Sequence, residues 1–288
     1  MSARQITWQM VDATMDTFRP TTGGYSLAKR GIITLADGTT VFIKLATDAD
    51  SKRFIAKELV AYKWLKQKGY LHIPEILLEK QDGFILPDLS HLDWSNRWNA
   101  QKVDAVFQAL DELSSMALTE EDRAVLSDFD VANGWQELVD EPKYQEKLLD
   151  KLADHPGYAK AIKANIQTYA DVTEAYLSER DQFALTHSDV RSDNLAYNPK
   201  DRSVQLIDWN WMGMGRKGIE EVALLVDVAH SGFTVEEHCA ERLDPIAALV
   251  LAGFWFSHST RRIWEGGNPQ LRELQFKSAL QSALWAKL

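Results

Sequence analysis

Cysteine is almost missing from this chain, with Cys239 alone among 288 residues. One thiol cannot close an intramolecular disulfide and offers no second thiolate to a metal cluster. Cys239 is therefore expected to act as a small buried hydrophobe. Long apolar runs are also missing. The longest, Ile246 to Phe256, falls short of the roughly 20 residues that a bilayer-spanning helix needs. The opening stretch "MSARQITWQMVDATMDTF" lacks the apolar core of a secretory signal, so a cytoplasmic protein is expected. Positive charge is in deficit: 32 Lys and Arg face 42 Asp and Glu, a net charge of −10. That balance argues against non-specific binding to nucleic acid or to an anionic membrane, since both need clustered cations. It weakly favours a ligand that carries amines. Internal repeats and low-complexity segments are absent as well.

What is present divides along the chain. The first third reads as β-rich. "GIITLADGTTVFIKLA" holds two β-branched runs around Asp37-Gly38, a hairpin signal, and "PEILLEKQDGFILPDL" repeats the pattern around Asp82-Gly83. Between the hairpins, "DADSKRFIAKELVAYKWLKQKG" predicts a helix with Asp50 or Ser51 as N-cap and Gly69 as its stop. Residues from about Ser95 to Glu179 carry helical patterns. Short strand-like pieces follow in "FALTH", "NLAYN" and "SVQLIDW", and the chain from Ile219 to Leu288 reads as helical again. The simplest architecture is α+β, with a β-rich lobe over 1–88, a hinge near Leu86 to Ser90, and a helical lobe over 89–288.

Five polar residues, His187, Asp189, Arg191, Asp193 and Asn194, crowd into "ALTHSDVRSDNLAYN" between apolar flanks. Asp208 follows in "QLIDWNW", at the end of an apolar run where a lone carboxylate would be costly to bury. A Mg²⁺ ion suits such a position, because it accepts a carboxylate, an amide oxygen and substrate phosphates together. Phosphoryl transfer needs a further carboxylate to orient the acceptor hydroxyl and take its proton. Asp189 could take that role. In the N-terminal third, "VFIK" ends in Lys44 on the second strand of the first hairpin. On the following helix Ile55, Glu58, Leu59 and Tyr62 share one face. Glu58 among those apolar neighbours calls for a buried cation, which Lys44 can supply.

"HSDVRSDN" matches the kinase-type loop His-x-Asp-x-x-x-x-Asn, "IDW" matches the metal-binding Asp of small-molecule kinases, and "VFIK" matches the kinase strand Val-Ala-Ile-Lys. In these motifs the chain resembles the aminoglycoside phosphotransferase and choline kinase group, whose fold is two-lobed and protein-kinase-like. The resemblance implies an ATP-dependent transfer to a hydroxyl of a small molecule, with GTP left open as donor. It implies Asp189 as base, Asn194 and Asp208 as Mg²⁺ ligands, His187 as support of the loop, and Lys44 held by Glu58 on the nucleotide phosphates. Gly23 and Gly24 are candidates to cover those phosphates, although "TTGGYS" is not Gly-x-Gly-x-x-Gly. Backbone groups near Leu86 to Asp88 are candidates to face the base.

The chain also departs from the group. Where an Asp that supports the active site is expected, "GMGRKGIEEVALL" offers Glu220 or Glu221. No Ala-Pro-Glu segment follows Asp208, which disfavours a protein kinase. Other readings are a nucleotide-binding module without turnover, which usually lacks the Lys, Asp or Asn kept here, and a metal-dependent hydrolase. The last needs further ligands, and His230, His238 and His258 are scattered over helical patterns. The acceptor and the oligomeric state are not encoded in any motif.

Overall fold

The computed structural model describes residues 6–21, 27–126, 131–263 and 268–288. In chain order the elements begin with α1 (Trp8–Asp12), β1 (Arg19–Pro20), β2 (Lys29–Thr34) and β3 (Thr40–Leu45). Then come α2 (Ala49–Gln67), β4 (Leu78–Lys80), β5 (Gly83–Pro87), α3 (Ala100–Ser114) and α4 (Glu120–Val125). Three more helices follow, α5 (Gly134–Asp140), α6 (Pro142–Lys151) and α7 (Pro156–Ser178). Four short strands come next: β6 (Phe183–Thr186), β7 (Leu195–Asn198), β8 (Ser203–Leu206) and β9 (Gly213–Arg216). Helices α8 (Lys217–His230), α9 (Val235–His238), α10 (Pro245–Ser259) and α11 (Leu271–Trp285) close the chain. Among the described residues, no helix is long and apolar enough to cross a membrane.

These elements form two compact units, Met1–Leu113 with Ser192–Met212, and Ser114–Arg191 with Gly213–Leu288. The division differs from the lobes 1–88 and 89–288 read from the sequence. Backbone pairing explains the difference. Asp93 and Tyr197 exchange two backbone hydrogen bonds, of 2.8 and 3.0 Å, and the Leu206 N–H donates to the His72 carbonyl at 2.8 Å. Those bonds join 192–212 to the N-terminal portion.

In the first unit an antiparallel sheet runs in the order β1-β2-β3-β5-β4. The β2–β3 turn works because Gly38 takes φ +85°, where other residues are strained. Strands β2 and β3 alternate. Ile33, Val41 and Ile43 are buried in a core that Val11 of α1 also enters, while Ile32, Phe42 and Lys44 face the other way, into a cavity. Neither α1 nor β1 was expected from sequence. Helix α2 is capped two residues before the earlier of the two expected caps, Asp50 and Ser51: Asp48 is the N-cap, and its carboxylate accepts from the Ser51 N–H at 2.7 Å. Ser51 is the reciprocal partner three residues on, which makes a capping box. Gly69, at φ +78°, follows the helix as predicted.

In the second unit α10 is buried along most of its length, as an apolar helix without a polar face must be. Asp244 caps it, accepting from the Ile246 and Ala247 N–H groups at 2.8 and 3.2 Å. Around α10, Trp135, Leu148, Ile162, Phe256 and Phe276 form the core. Cys239 is buried, as expected. Strand β9 pairs antiparallel with β6 and so fixes where the chain leaves β6 for the loop at His187.

Candidate active site

Lys44 sits on β3 between β2 and β5, with 6% of its surface exposed. Its Nζ donates to Glu58 Oε2 at 2.6 Å and to Asp208 Oδ1 at 2.9 Å. Glu58, Ile55, Leu59 and Tyr62 are all buried, on the one helix face the sequence pattern implied. Burial alone would lower the Lys44 ammonium, but the charges of Glu58 and Asp208 outweigh it and hold the group above its ordinary value. Burial pushes the Glu58 carboxyl up to about 7, against the pull of Lys44 and with the nearby Asp208 charge adding to the rise. The result is an ammonium that stays charged between two carboxylates.

Asp208 does not end a strand. Strand β8 stops at Leu206, and Asp208 lies beyond it in left-handed backbone at φ +65°. That conformation costs roughly 1–3 kcal/mol for a residue with a Cβ, although Asp is among the residues that tolerate it best. The surrounding bonds hold it there. Ile207 N–H donates to the Asn194 carbonyl at 3.0 Å, and Trp209 Nε1 donates to the Leu206 carbonyl at 2.9 Å. Asn194 is buried.

A cavity of about 540 Å³ is lined by Lys44, Glu58, Asn194 and Asp208, with Leu86 and Trp94 among its apolar walls. One carboxylate and one amide on the same cavity are donors of the kind Mg²⁺ takes from protein when substrate phosphates complete its shell, so Asp208 and Asn194 fit that ion. Among the described residues, no group of three His, Cys, Asp or Glu could hold a metal by itself. Asp88 is not part of this wall. Its carboxylate accepts from the Ser90 N–H at 2.8 Å. Partial burial opposes its ionisation, but bonds from Ser90 and Thr40 hold the group below the usual carboxylate range. Gly23 and Gly24 lie outside the described residues.

In the second unit β6 delivers His187, which is fully buried. The Asp189 N–H donates to His187 Nδ1 at 3.3 Å, so the imidazole supports the loop backbone. Arg191 Nε lies 3.3 Å from Asp189 Oδ1. Ser188 takes φ +67°. Glu220 on α8 accepts from the Ser188 N–H at 2.7 Å and also from the backbone of His187. Burial pushes the Glu220 carboxyl up to about 7 against those two bonds. Glu221 instead meets Arg242 at 2.8 Å and Lys217 at 3.6 Å. Of the two glutamates left open by the sequence, it is Glu220 that braces the His187–Asp189 loop.

No protein-family model matches the chain, and no curated protein matches it. Solved structures do match. A spectinomycin phosphotransferase, solved with ADP and spectinomycin, aligns over 98% of this chain and 98% of its own at 13% identity and a TM-score of 0.57. An ethanolamine kinase from Plasmodium vivax aligns over 99% of this chain and 86% of its own, at 13% identity and a TM-score of 0.63. A choline kinase from Streptococcus pneumoniae covers 93% of both chains at 15% identity, with a TM-score of 0.58. The chain has the protein-kinase-like fold. It is the α+β, two-lobed class expected from the catalytic-loop and strand motifs. Within the kinase-like fold, sequence reasoning missed Arg30, which lines the same cavity as Lys44. The signal was available in the period-2 pattern of β2, where Arg30 and Ile32 alternate with Gly31 and Ile33.

Proposed function

We propose that this chain is an ATP-dependent phosphotransferase that moves the γ-phosphoryl group onto a hydroxyl of a small molecule. The observation that carries the reading is the Lys44–Glu58–Asp208 ion triad on the wall of a cavity of about 540 Å³. Buried charged groups with shifted ionisation on a cavity wall mark a functional site, and a polyphosphate is the ligand that such a cation suits. Residues 1–88 act as the nucleotide lobe, and 89–288 carry the catalytic loop and the acceptor site. Lys44 binds the phosphates and Glu58 fixes its position. The backbone of Leu86 and Pro87, which line the cavity, faces the base. Asn194 and Asp208 hold Mg²⁺, which when bound offsets charge on the phosphate oxygens.

Asp189 is the base. Its carboxylate takes the acceptor hydroxyl proton as the new oxygen–phosphorus bond forms, and the bond to the β–γ bridging oxygen breaks to release ADP. His187 and Glu220 hold the loop that carries it. The net charge of −10 favours an acceptor bearing amines, and the reaction belongs in the cytoplasm. A nucleotide-binding module without turnover is the second reading, and the Lys44–Glu58 pair is common to both.

ADP release with Mg-ATP, measured across a panel of neutral, anionic and amine-bearing hydroxyl compounds, tests the proposal. At least one amine-bearing alcohol is expected to turn over. With that acceptor Asp189→Asn should keep nucleotide affinity and lower kcat by roughly 10²–10⁴. Nucleotide binding with no acceptor turned over would favour the non-catalytic reading, and an Asp189→Asn variant with unchanged kcat would remove Asp189 as base.

A further inference from the structure

The β2–β3 register sets Arg30 directly opposite Lys44, and Ile32 opposite Phe42. All four residues line the same cavity. A guanidinium and an ammonium thus stand side by side on one face of the sheet, an arrangement that is unfavourable by itself because like charges on paired residues repel. An anion between them reverses the sign. Glu58 is one such anion, since its carboxyl feels the Arg30 charge as well as that of Lys44. It is already bonded to Lys44 at 2.6 Å, and Lys44 in turn reaches Asp208 at 2.9 Å. Two of the three ammonium donors are therefore spent on carboxylates. Arg30 brings five donors in a planar fork suited to two oxygens of one phosphate. Its Nε makes a long bond of 3.5 Å to the Ala28 carbonyl, which orients the base of the fork along the strand. The sequence carries Gly23-Gly24 and no Gly-x-Gly-x-x-Gly, so it lacks the glycine spacing of a kinase phosphate loop and has a cationic side chain on the adjoining strand.

We infer that Arg30 is a second phosphate-binding cation of the nucleotide site, which works with Lys44 to select nucleoside di- and triphosphates over monophosphates and nucleosides. The inference rests on the phosphotransferase reading and assigns a residue that reading does not use. Binding is a salt-sensitive pairing between the guanidinium and nonbridging phosphate oxygens, with no covalent step.

Calorimetry on the full chain with ATP, ADP, AMP and adenosine, all with Mg²⁺, tests it with wild type and Arg30→Gln. Affinity for ATP and ADP should fall on the order of 10- to 100-fold in the variant, with a smaller loss for AMP and less than about a twofold change for adenosine. Equal loss for all four ligands would assign Arg30 a structural role, and unchanged ATP affinity would remove it from the site; either result overturns the inference. A wild type that binds ATP beside an unaffected variant refutes Arg30 alone, whereas a wild type that binds none of the four overturns the phosphotransferase reading with it. Should Arg30→Gln fail to fold, the wild-type protein gives the answer through arginine modification by phenylglyoxal, read peptide by peptide. ADP should protect Arg30 and adenosine should not; equal modification with and without ADP overturns the inference.

Discussion

Replacing Lys44 with Met keeps the aliphatic stem and removes the ammonium, so the cost of the change reads the ion triad. Glu58 is left 2% exposed without the cation that stands 2.6 Å away. In the native protein, burial carries the Glu58 carboxyl from its ordinary 4.5 up to about 7. Native stability from this group is therefore greatest below 4.5 and falls as pH rises towards 7, where the folded state holds a proton that the unfolded chain releases. Above 7 both states are ionised and the contribution is flat. Without Lys44 the carboxyl moves higher still, and the folded variant keeps its proton past pH 7. Each further pH unit then costs the variant up to about 1.4 kcal/mol relative to wild type. A gap should therefore widen with pH above about 7, by at most that amount per unit and only until the variant's own carboxyl ionises. It adds to a pH-independent offset from packing and from Asp208. Lys44 itself, held above its ordinary value, stays charged over that window. Urea unfolding of both proteins at about pH 6, 7, 8 and 9, with m-values compared, measures the gap. Stability curves that run parallel over the whole range would refute the reasoning, because Glu58 would then carry the same charge in both proteins.

Glu220 obeys the same sign rule: its carboxyl, pushed up to about 7 by burial, costs stability as pH climbs from 4.5 to 7. Glu220→Gln keeps an acceptor for the Ser188 N–H and removes the titration, so its unfolding midpoint should vary less with pH in that window than that of wild type. An identical slope in the two proteins would show that Glu220 does not titrate there. Asp208→Asn preserves tolerance of the left-handed backbone and removes the charge. Calorimetry should show weaker Mg-ATP binding while ATP with a chelator binds as in wild type; equal losses in both titrations would make Asp208 a structural residue.

Much of the site was legible because its residues obey local rules. The helix face Ile55–Glu58–Leu59–Tyr62 follows from a 3.6-residue period, and a carboxylate on that face asks for a cation wherever it is found. The Asp37-Gly38 turn specifies its hairpin through the positive φ that Gly38 supplies. What stayed hidden depends on distant partners. Strand β9 is "GMGR", with two glycines and no β-branched residue, and it is a strand only because β6 offers it a ladder. The start of α2 was misplaced because Asp50 and Ser51 are as suitable by residue type as Asp48, and the reciprocal bonds of the capping box select Asp48. Glu220 and Glu221 differ by one step on a helix. Their roles separate only when Ser188 and Arg242 are seen on different sides of α8. Arg30 reads in sequence as the solvated start of a strand, and its meaning comes from the register with Lys44.

The first compact unit is assembled from two stretches of chain, with Ser114–Arg191 belonging elsewhere. That gives the site a schedule. During synthesis the strands β1 to β5 emerge before residues 192–212, and the longest connection their pairing closes runs from β3 through α2 and β4 to β5. Lys44 and Glu58 are 14 positions apart and are both made by then, but the bond from Lys44 to Asp208 joins residues 164 positions apart. It waits until the intervening helices have been made, together with the hydrogen bonds of His72 to Leu206 and of Asp93 to Tyr197. A chain made only as far as residue 193 thus offers the ammonium Glu58 but not Asp208, and it lacks Asn194 as well. Completion of the cavity is tied to completion of β7 and β8, so a nascent chain acquires its proposed phosphate-binding and metal-binding groups in that order and not together.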